Sequence, residues 1–291
     1  MTRNVLRFHQ TLCLGVIMAC TNMVMPGCET MQSMLADAQK PTVSYKTARL
    51  ENLSIEGALL AFDVEVSNPY NVALPLTDMS YMLSSAGKQF LAGKAAMAGT
   101  VPAKGSRVVT LPANVRFADA LAILTSITPG SVVPYSAALD VSVDAPGVGP
   151  LTLPLRAIEG EFPVPIPPLV SLTNIAWDSL SLDAAKATLN LNIVNRNQFA
   201  MGLQKMNYAL SLGGHQIVST SLNRSASFVA GGTGDIAIPI SFSPRNLGLA
   251  AFNIFTGKGS SYDLVGDLNV STPFGPITLP FQRQGDTTFK H

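Results

Sequence analysis

Few side chains in this sequence have the type and spacing to do chemistry, and the thiols of Cys13, Cys20 and Cys28 come first. All three lie in the opening 28 residues. The three histidines are scattered: His9 is near the start, His291 is the last residue, and His215 falls at a hairpin tip between two apolar runs. A lone exposed imidazole needs a nucleophile or a carboxylate pair in reach to act as a base. None is indicated, so His215 reads as a solvated turn residue. Metal sites need Cys, His or carboxylates clustered at ligand spacing, and no such cluster stands in the sequence. Gly231-Gly232-Thr233-Gly234 looks like a phosphate loop only on the surface, because the lysine and the strand-loop-helix context are missing. Asp140 and Asp267 occupy matching places on the wet face of matching strands, where solvation is the expected role. No enzyme activity, cofactor or metal is therefore expected.

The thiols have a context that the other groups lack. Arg3 and Arg7 form a basic start, Leu12 to Ala19 is a short apolar run, and small residues follow. That order is the layout of a secretory signal peptide. The run is too short to span a bilayer, which takes roughly 20 residues. Val24-Met25-Pro26-Gly27-Cys28 resembles a lipobox, with a small residue directly before the thiol; Ile17-Met18-Ala19-Cys20 is a rival. Cys28 is preferred, because Cys20 ends the apolar run and Glu29-Thr30-Met31-Gln32 reads as a polar tether. Cleavage before Cys28 leaves a single cysteine and no possible disulfide. The expected division is a signal peptide over 1–27, a tether over 28–40, a first domain over 41–160, a Pro-rich linker over 161–168 and a second domain over 169–291.

The two domains follow from a repeat. Phe62-Asp63-Val64-Glu65-Val66 returns as Leu189-Asn190-Leu191-Asn192-Ile193 at an offset of 127, and Asn68 returns as Asn195. Strict alternation places every second side chain on one face of a strand, so one face is buried and the other wet. The chain has 291 residues, 47% hydrophobic and 13% charged. That length and composition suffice for two domains with their own cores. Net charge is +1; removing the two arginines of the first 27 residues leaves 17 basic against 18 acidic residues. A near-neutral body lacks the basic face that nucleic acid demands.

Within each copy, an opening strand begins at Val43 or Val170, and the alternating strand follows. Tyr81 and Tyr208 then sit in matching strands, as core rings with a hydroxyl partner. Gly87-Lys88-Gln89 and Gly214-His215-Gln216 are hairpin tips, and Ala103-Lys104-Gly105 and Ala230-Gly231-Gly232 are tight turns. Pro112 and Pro239 stand in matching alternating strands. A proline cannot donate to the ladder, so an edge position is expected for both. Phe117, Leu121 and Leu124 share one helical face, with a counterpart over 246–252, and Gly130 and Gly257 read as the helix stops. Between the copies, Pro163, Pro165, Pro167 and Pro168 predict an extended, semi-rigid spacer that holds the domains apart. The expected class is mainly β: two tandem antiparallel β-sandwich domains, each of about seven strands with one helix.

The Asn68-Pro69-Tyr70-Asn71 after the alternating strand, the Leu74-Pro75-Leu76 that follows, the Tyr81 strand, the Val101-Pro102-Ala103-Lys104-Gly105 hairpin and the late helix together resemble the WHy (water stress and hypersensitive response) domain of type 2 late embryogenesis abundant proteins. The resemblance covers both copies. It implies a fibronectin/immunoglobulin-like sandwich and a non-enzymatic, protective role against drying and related stress. Copy two keeps Asn195 but has Arg196 in place of Pro69. Asn68, Pro69 and Asn195 are the family-motif residues, read here as strand caps that bond the turn backbone rather than as a recognition surface. Resemblance to bacterial lipoproteins puts the lipid on Cys28 and the protein in the cell envelope, on the outer membrane facing the periplasm. The expected partners are stress-labile client proteins or envelope proteins, with the membrane reached through the N-terminal lipid; a monomer is expected. The competing expectation is an envelope adaptor that binds a protein partner through its tandem domains.

Overall fold

The computed structural model describes residues 40–248 and 260–287, together with 252, 253, 256 and 258. The expected signal peptide, the expected tether to Gln39, Cys28 and its rival Cys20, and Gly257 lie outside the described residues. The described residues from Pro41 onward belong to one compact unit. The described chain is mainly β, and its copies repeat one another strand for strand. Copy one runs through β1 (Thr42–Glu51), β2 (Gly57–Ser67), β3 (Leu74–Ser85), β4 (Lys88–Ala96), β5 (Thr100–Val101), β6 (Ser106–Arg116), helix α1 (Phe117–Ile123), β7 (Val132–Ala145) and β8 (Gly149–Pro163). Copy two runs through β9 (Leu169–Leu180), β10 (Ala185–Val194), β11 (Met201–Leu212), β12 (His215–Phe228), β13 (Thr233–Phe242), a 3-10 turn (Pro244–Leu247), β14 (Ser260–Thr272) and β15 (Gly275–Thr287).

All the pairings are antiparallel, and each copy builds two sheets. Copy one has β1-β2-β6 and β4-β3-β7-β8, with β5 added against β3; copy two has β9-β10-β13 and β12-β11-β14-β15. The register repeats as well. Phe62 faces Leu111 across β2 and β6, and Leu189 faces Ile238 across β10 and β13, each pair 127 residues from the other. Period-two patterning makes this register obligatory, because a slip of one residue would turn every buried side chain outward. Phe62, Val64 and Val66 are fully buried, as are Leu189, Leu191 and Ile193. Each such side chain contributes about 1.5–3 kcal/mol by leaving water. The two sheets of each copy enclose their own core. Pro112 and Pro239 do lie in edge strands, β6 and β13. The β3–β4 hairpin turns through Ala86 and Gly87, and the β11–β12 hairpin through Gly213 and Gly214, all four at positive φ as a two-residue primed turn requires. His215 is thus the first residue of β12, one step past the tip.

Two sequence expectations need correction, and a third element takes a different form. Gly130 does not stop the helix. Helix α1 ends at Ile123, with Leu124 as its C-cap, and Gly130 belongs to the loop beyond. The counterpart of α1 in copy two includes a 3-10 turn over Pro244–Leu247. Phe117, which anchors α1 by stacking on Phe162 at 6.1 Å, is replaced at the repeat offset by Pro244. Lastly, residues 161–168 are no free spacer. Glu161 to Pro163 continue β8 against Val132 to Pro134. Phe162 is fully buried in the core of copy one, against Phe90, Phe117 and Tyr135. Val164 is held by backbone bonds to Gly130 and Ser131.

Candidate functional site

Asn68 follows the last residue of β2, where the chain must leave the ladder. Its backbone N–H donates to the carbonyl of Gly105 at 2.8 Å. Its side-chain Nδ2 donates to the carbonyls of Val72 at 2.8 Å, Val101 at 3.1 Å and Pro102 at 3.0 Å. Its Oδ1 accepts from the amide of Tyr70 at 2.9 Å, which closes an Asx turn. Asn68 therefore ties the β2–β3 loop to β5 and to the turn before β6. Copy two reproduces the latch at the same offset. Asn195 donates from its backbone to Gly232 at 2.8 Å and from Nδ2 to Phe199 at 2.8 Å and Val229 at 3.0 Å, and accepts from the Asn197 amide at 3.0 Å. Both asparagines are buried. Their amides are engaged with backbone, which leaves no polar atom aimed at solvent. Pro69 sits half-buried beside the latch.

The departure of copy two from Asn-Pro-Tyr has a geometric consequence. Asn197, at the position of Tyr70, is fully buried. Its Oδ1 accepts from the Ile166 amide at 2.9 Å and its Nδ2 donates to the Ile166 carbonyl at 3.0 Å. Arg196, at the position of Pro69, donates through Nη2 to the Pro167 carbonyl at 2.9 Å. Gln198 donates its amide to Gly130 at 2.7 Å, and its Oε1 accepts from the Val132 amide at 3.4 Å. One four-residue stretch thus holds the linker and the loop after α1. Leu53, from the β1–β2 turn, completes the junction by packing against both cores. These contacts could have been suspected from the sequence only where the repeat breaks, at Arg196 and Asn197.

A cleft of about 500 Å³ runs along this junction, between Leu53 and Ser54 of copy one and Gln204, Ser271, Ile277 and Thr278 of copy two. No charged residue lines it. A second cleft, of about 670 Å³, lies at the β1–β2 turn and carries Glu56 and Arg116. Ser54 lines both clefts, and its hydroxyl donates to the Gly57 carbonyl at 3.1 Å.

The remaining candidates are engaged in cross-strand pairs. On the outer face of β2, Asp63 is ion-paired with Arg49 and accepts from the Thr110 hydroxyl at 2.6 Å. Glu65 pairs with Lys46 at 2.6 Å, and the hydrogen bond from Lys46 holds its carboxyl below the ordinary range, against a smaller opposing effect of burial. Copy two has an amide ladder in the same places, with Asn190 donating to Asn174 at 2.7 Å and Asn192 to Asp235 at 2.8 Å. Asp140 pairs with Arg156 at 2.6 Å, and Asp267 accepts from Asn207 at 2.8 Å. Tyr208 is buried, and burial raises its phenol. Tyr81 is half-buried and lies over Gly93, where a Cβ would meet its ring at 2.5 Å. His215 is exposed at the head of β12. Among the described residues, no group of three or more His, Cys, Asp or Glu could hold a metal ion.

A family model described as late embryogenesis abundant protein, LEA_2, matches residues 63–157 and again 190–285. "Late embryogenesis abundant protein Lea14-A" of Gossypium hirsutum is 28% identical over 131 residues, which span 45% of this chain and 86% of that protein. "Desiccation protectant protein Lea14 homolog" of Glycine max is 28% identical over 126 residues, 43% of this chain and 82% of its own length. The solution structure of a putative late embryogenesis abundant protein superposes with a TM-score of 0.38 at 23% identity, over 46% of this chain and 78% of that one.

Proposed function

We propose a non-enzymatic, protective role in desiccation and related stress for this chain, which belongs to the late embryogenesis abundant protein family LEA_2 and carries its domain twice. The observation that carries the reading is the double family match, together with relatives whose names speak of desiccation protection. Fold likeness alone would not license a function; the geometry adds that the family asparagines are latches. Each copy is a WHy-type sandwich of the fibronectin/immunoglobulin kind. The protein acts by occupying space between unfolding clients with a folded, weakly charged surface.

The leader supports a place for this activity. The order of basic start, short apolar run and lipobox-like Val24-Met25-Pro26-Gly27-Cys28 supports lipidation at Cys28 and anchoring in the cell envelope, at the outer membrane facing the periplasm. Metabolic labelling with an alkyne fatty acid checks this: Cys28→Ala abolishes the label, whereas loss of the label in Cys20→Ala alone would move the anchor to Cys20.

The protective role is tested by drying a labile enzyme with the full-length protein and, separately, with an equal mass of an unrelated β protein. The expected result is higher recovered activity with this chain. Equal recovery from both sinks the protective reading and leaves the adaptor reading to be pursued.

A further inference from the structure

Among the described residues, each of the four sheets ends in strands whose outer edge no described strand pairs, and most of these edges are blocked. Proline stands in β6, β8, β13 and β15, at Pro112, Pro154, Pro239 and Pro280. Lysine or arginine stands in β1 and β4, at Lys46, Arg49 and Lys94. The edge strand β9 carries Asp178 and breaks register twice against β10. Prolines, charges and bulges are the usual defences of an edge against added strands.

The edge strand β12 shares a single charge and two register breaks with β9, but the regular stretch between its breaks is longer, Val218–Asn223 against Asn174–Trp177. It runs 14 residues, His215-Gln-Ile-Val-Ser-Thr-Ser-Leu-Asn-Arg-Ser-Ala-Ser-Phe228, with no proline and no charge apart from Arg224 and whatever His215 carries. Its copy-one counterpart β4 has nine residues, after which the chain turns away to form β5 against β3. Bulges interrupt β12 near Ile217 and near Arg224. Between them, Val218 to Asn223 keep an unbroken register against Leu210 to Lys205. Val218, Thr220 and Leu222 sit opposite Leu210, Tyr208 and Met206, all of which are buried. They therefore belong to the core face, yet Val218 and Leu222 are only half-covered and Thr220 is exposed.

We propose that Val218–Asn223 of β12 captures an extended, uncharged segment of an unfolded polypeptide by strand addition. Backbone ladders supply affinity in this mode, and alternate side chains supply what selectivity there is. A segment that alternates apolar and small polar residues would lay its apolar side chains beside Val218 and Leu222 and extend the core by one strand. Such segments are the ones that drive cross-β aggregation when a protein unfolds, so the site deepens the protective reading and rests on it for its biological meaning. The regular stretch suits one extended segment. It is short for joining two folded copies, because a stable interface buries roughly 1,200 Å² or more.

The test uses the full-length protein and a capped, fluorescein-labelled peptide of alternating valine and threonine. The wild-type protein and Thr220→Ser are expected to bind it. Thr220→Lys places a charge on the core-facing side of the edge at a position that is itself exposed, and should weaken binding about tenfold, or roughly 1.4 kcal/mol. A peptide methylated on alternate backbone nitrogens along one edge should not bind. Equal binding by Thr220→Lys, or of the methylated peptide, overturns the proposal. So does a dimer in sedimentation that Thr220→Lys dissociates, since a second copy would then occupy the edge. Peptide capture as expected, without protection on drying, sinks the protective reading and leaves the site standing. Protection without peptide capture removes the site alone.

Discussion

Asn68 and Asn195 occur at the point where a strand must hand the chain to a loop without leaving carbonyls unpaired. Each bonds carbonyls of two separate segments through one amide group. Removing the amide leaves those buried and part-buried carbonyls without this partner, which costs about 1–3 kcal/mol. Asn195→Ala should therefore lower the unfolding free energy measured by urea denaturation by about that amount, and an unchanged value would show that water replaces the latch. Tyr135 gives a pH-dependent prediction. Burial, with a lesser contribution from Tyr45, pushes its phenol from 10.0 up to about 12. Below pH 10 the phenol is protonated in the folded and unfolded chain alike, and the full stability is present. Between about pH 10 and 12 the unfolded chain loses this proton first, so stability falls as pH rises through that window. Tyr135→Phe should flatten this alkaline loss in chemical denaturation, and the same slope in wild type and variant would assign it to other groups.

Among the elements, the segment over 161–168 changed most between expectation and structure. Alternating prolines do favour an extended chain, and the chain is extended here. An extended chain is also a strand, however, and β8 recruits Glu161 to Pro163 by pairing them with Val132 to Pro134. Phe162 then becomes the centre of an aromatic cluster with Phe90, Phe117 and Tyr135. Phe162→Ala should cost about 3–5 kcal/mol, the usual range for emptying a buried aromatic site, and should loosen α1, whose first residue stacks on it. Differential scanning calorimetry would measure the loss. A change below about 1 kcal/mol would place Phe162 outside the folding core. The helix itself was legible from Phe117, Leu121 and Leu124, whereas its end was not. Leu124 closes it without glycine, and Gly130 is needed elsewhere.

At the scale of the whole molecule, the two copies have separate cores joined by a small set of named contacts. Gly130 has φ +93°, and a Cβ there would come within 2.8 Å of the Arg196 carbonyl. Asn197 grips Ile166 from the other side. The wild-type chain is expected to unfold in one calorimetric transition. Gly130→Ala combined with Asn197→Ala should split it into two, because each copy keeps its own core while the junction is lost. A single transition in the double variant would mean that Leu53 and the cleft beside it carry the coupling instead.

Amino-acid order alone determined the repeat, the buried faces and the proline edges of this protein. Alternation, offset and the missing amide proton are local properties, and each acts within one strand or between equivalent strands. Asn68 and Asn195 were legible as strand caps for the same reason. The partners of those caps were not, since Val101, Pro102 and Val229 lie more than thirty residues away along the chain. The place of Phe162 in a core, the use of Gly130 and Asn197 at a junction, and the open edge of β12 were decided only by the tertiary structure. Each depends on which strands become neighbours, and that follows from the joint burial of two sheet faces rather than from any one segment's pattern.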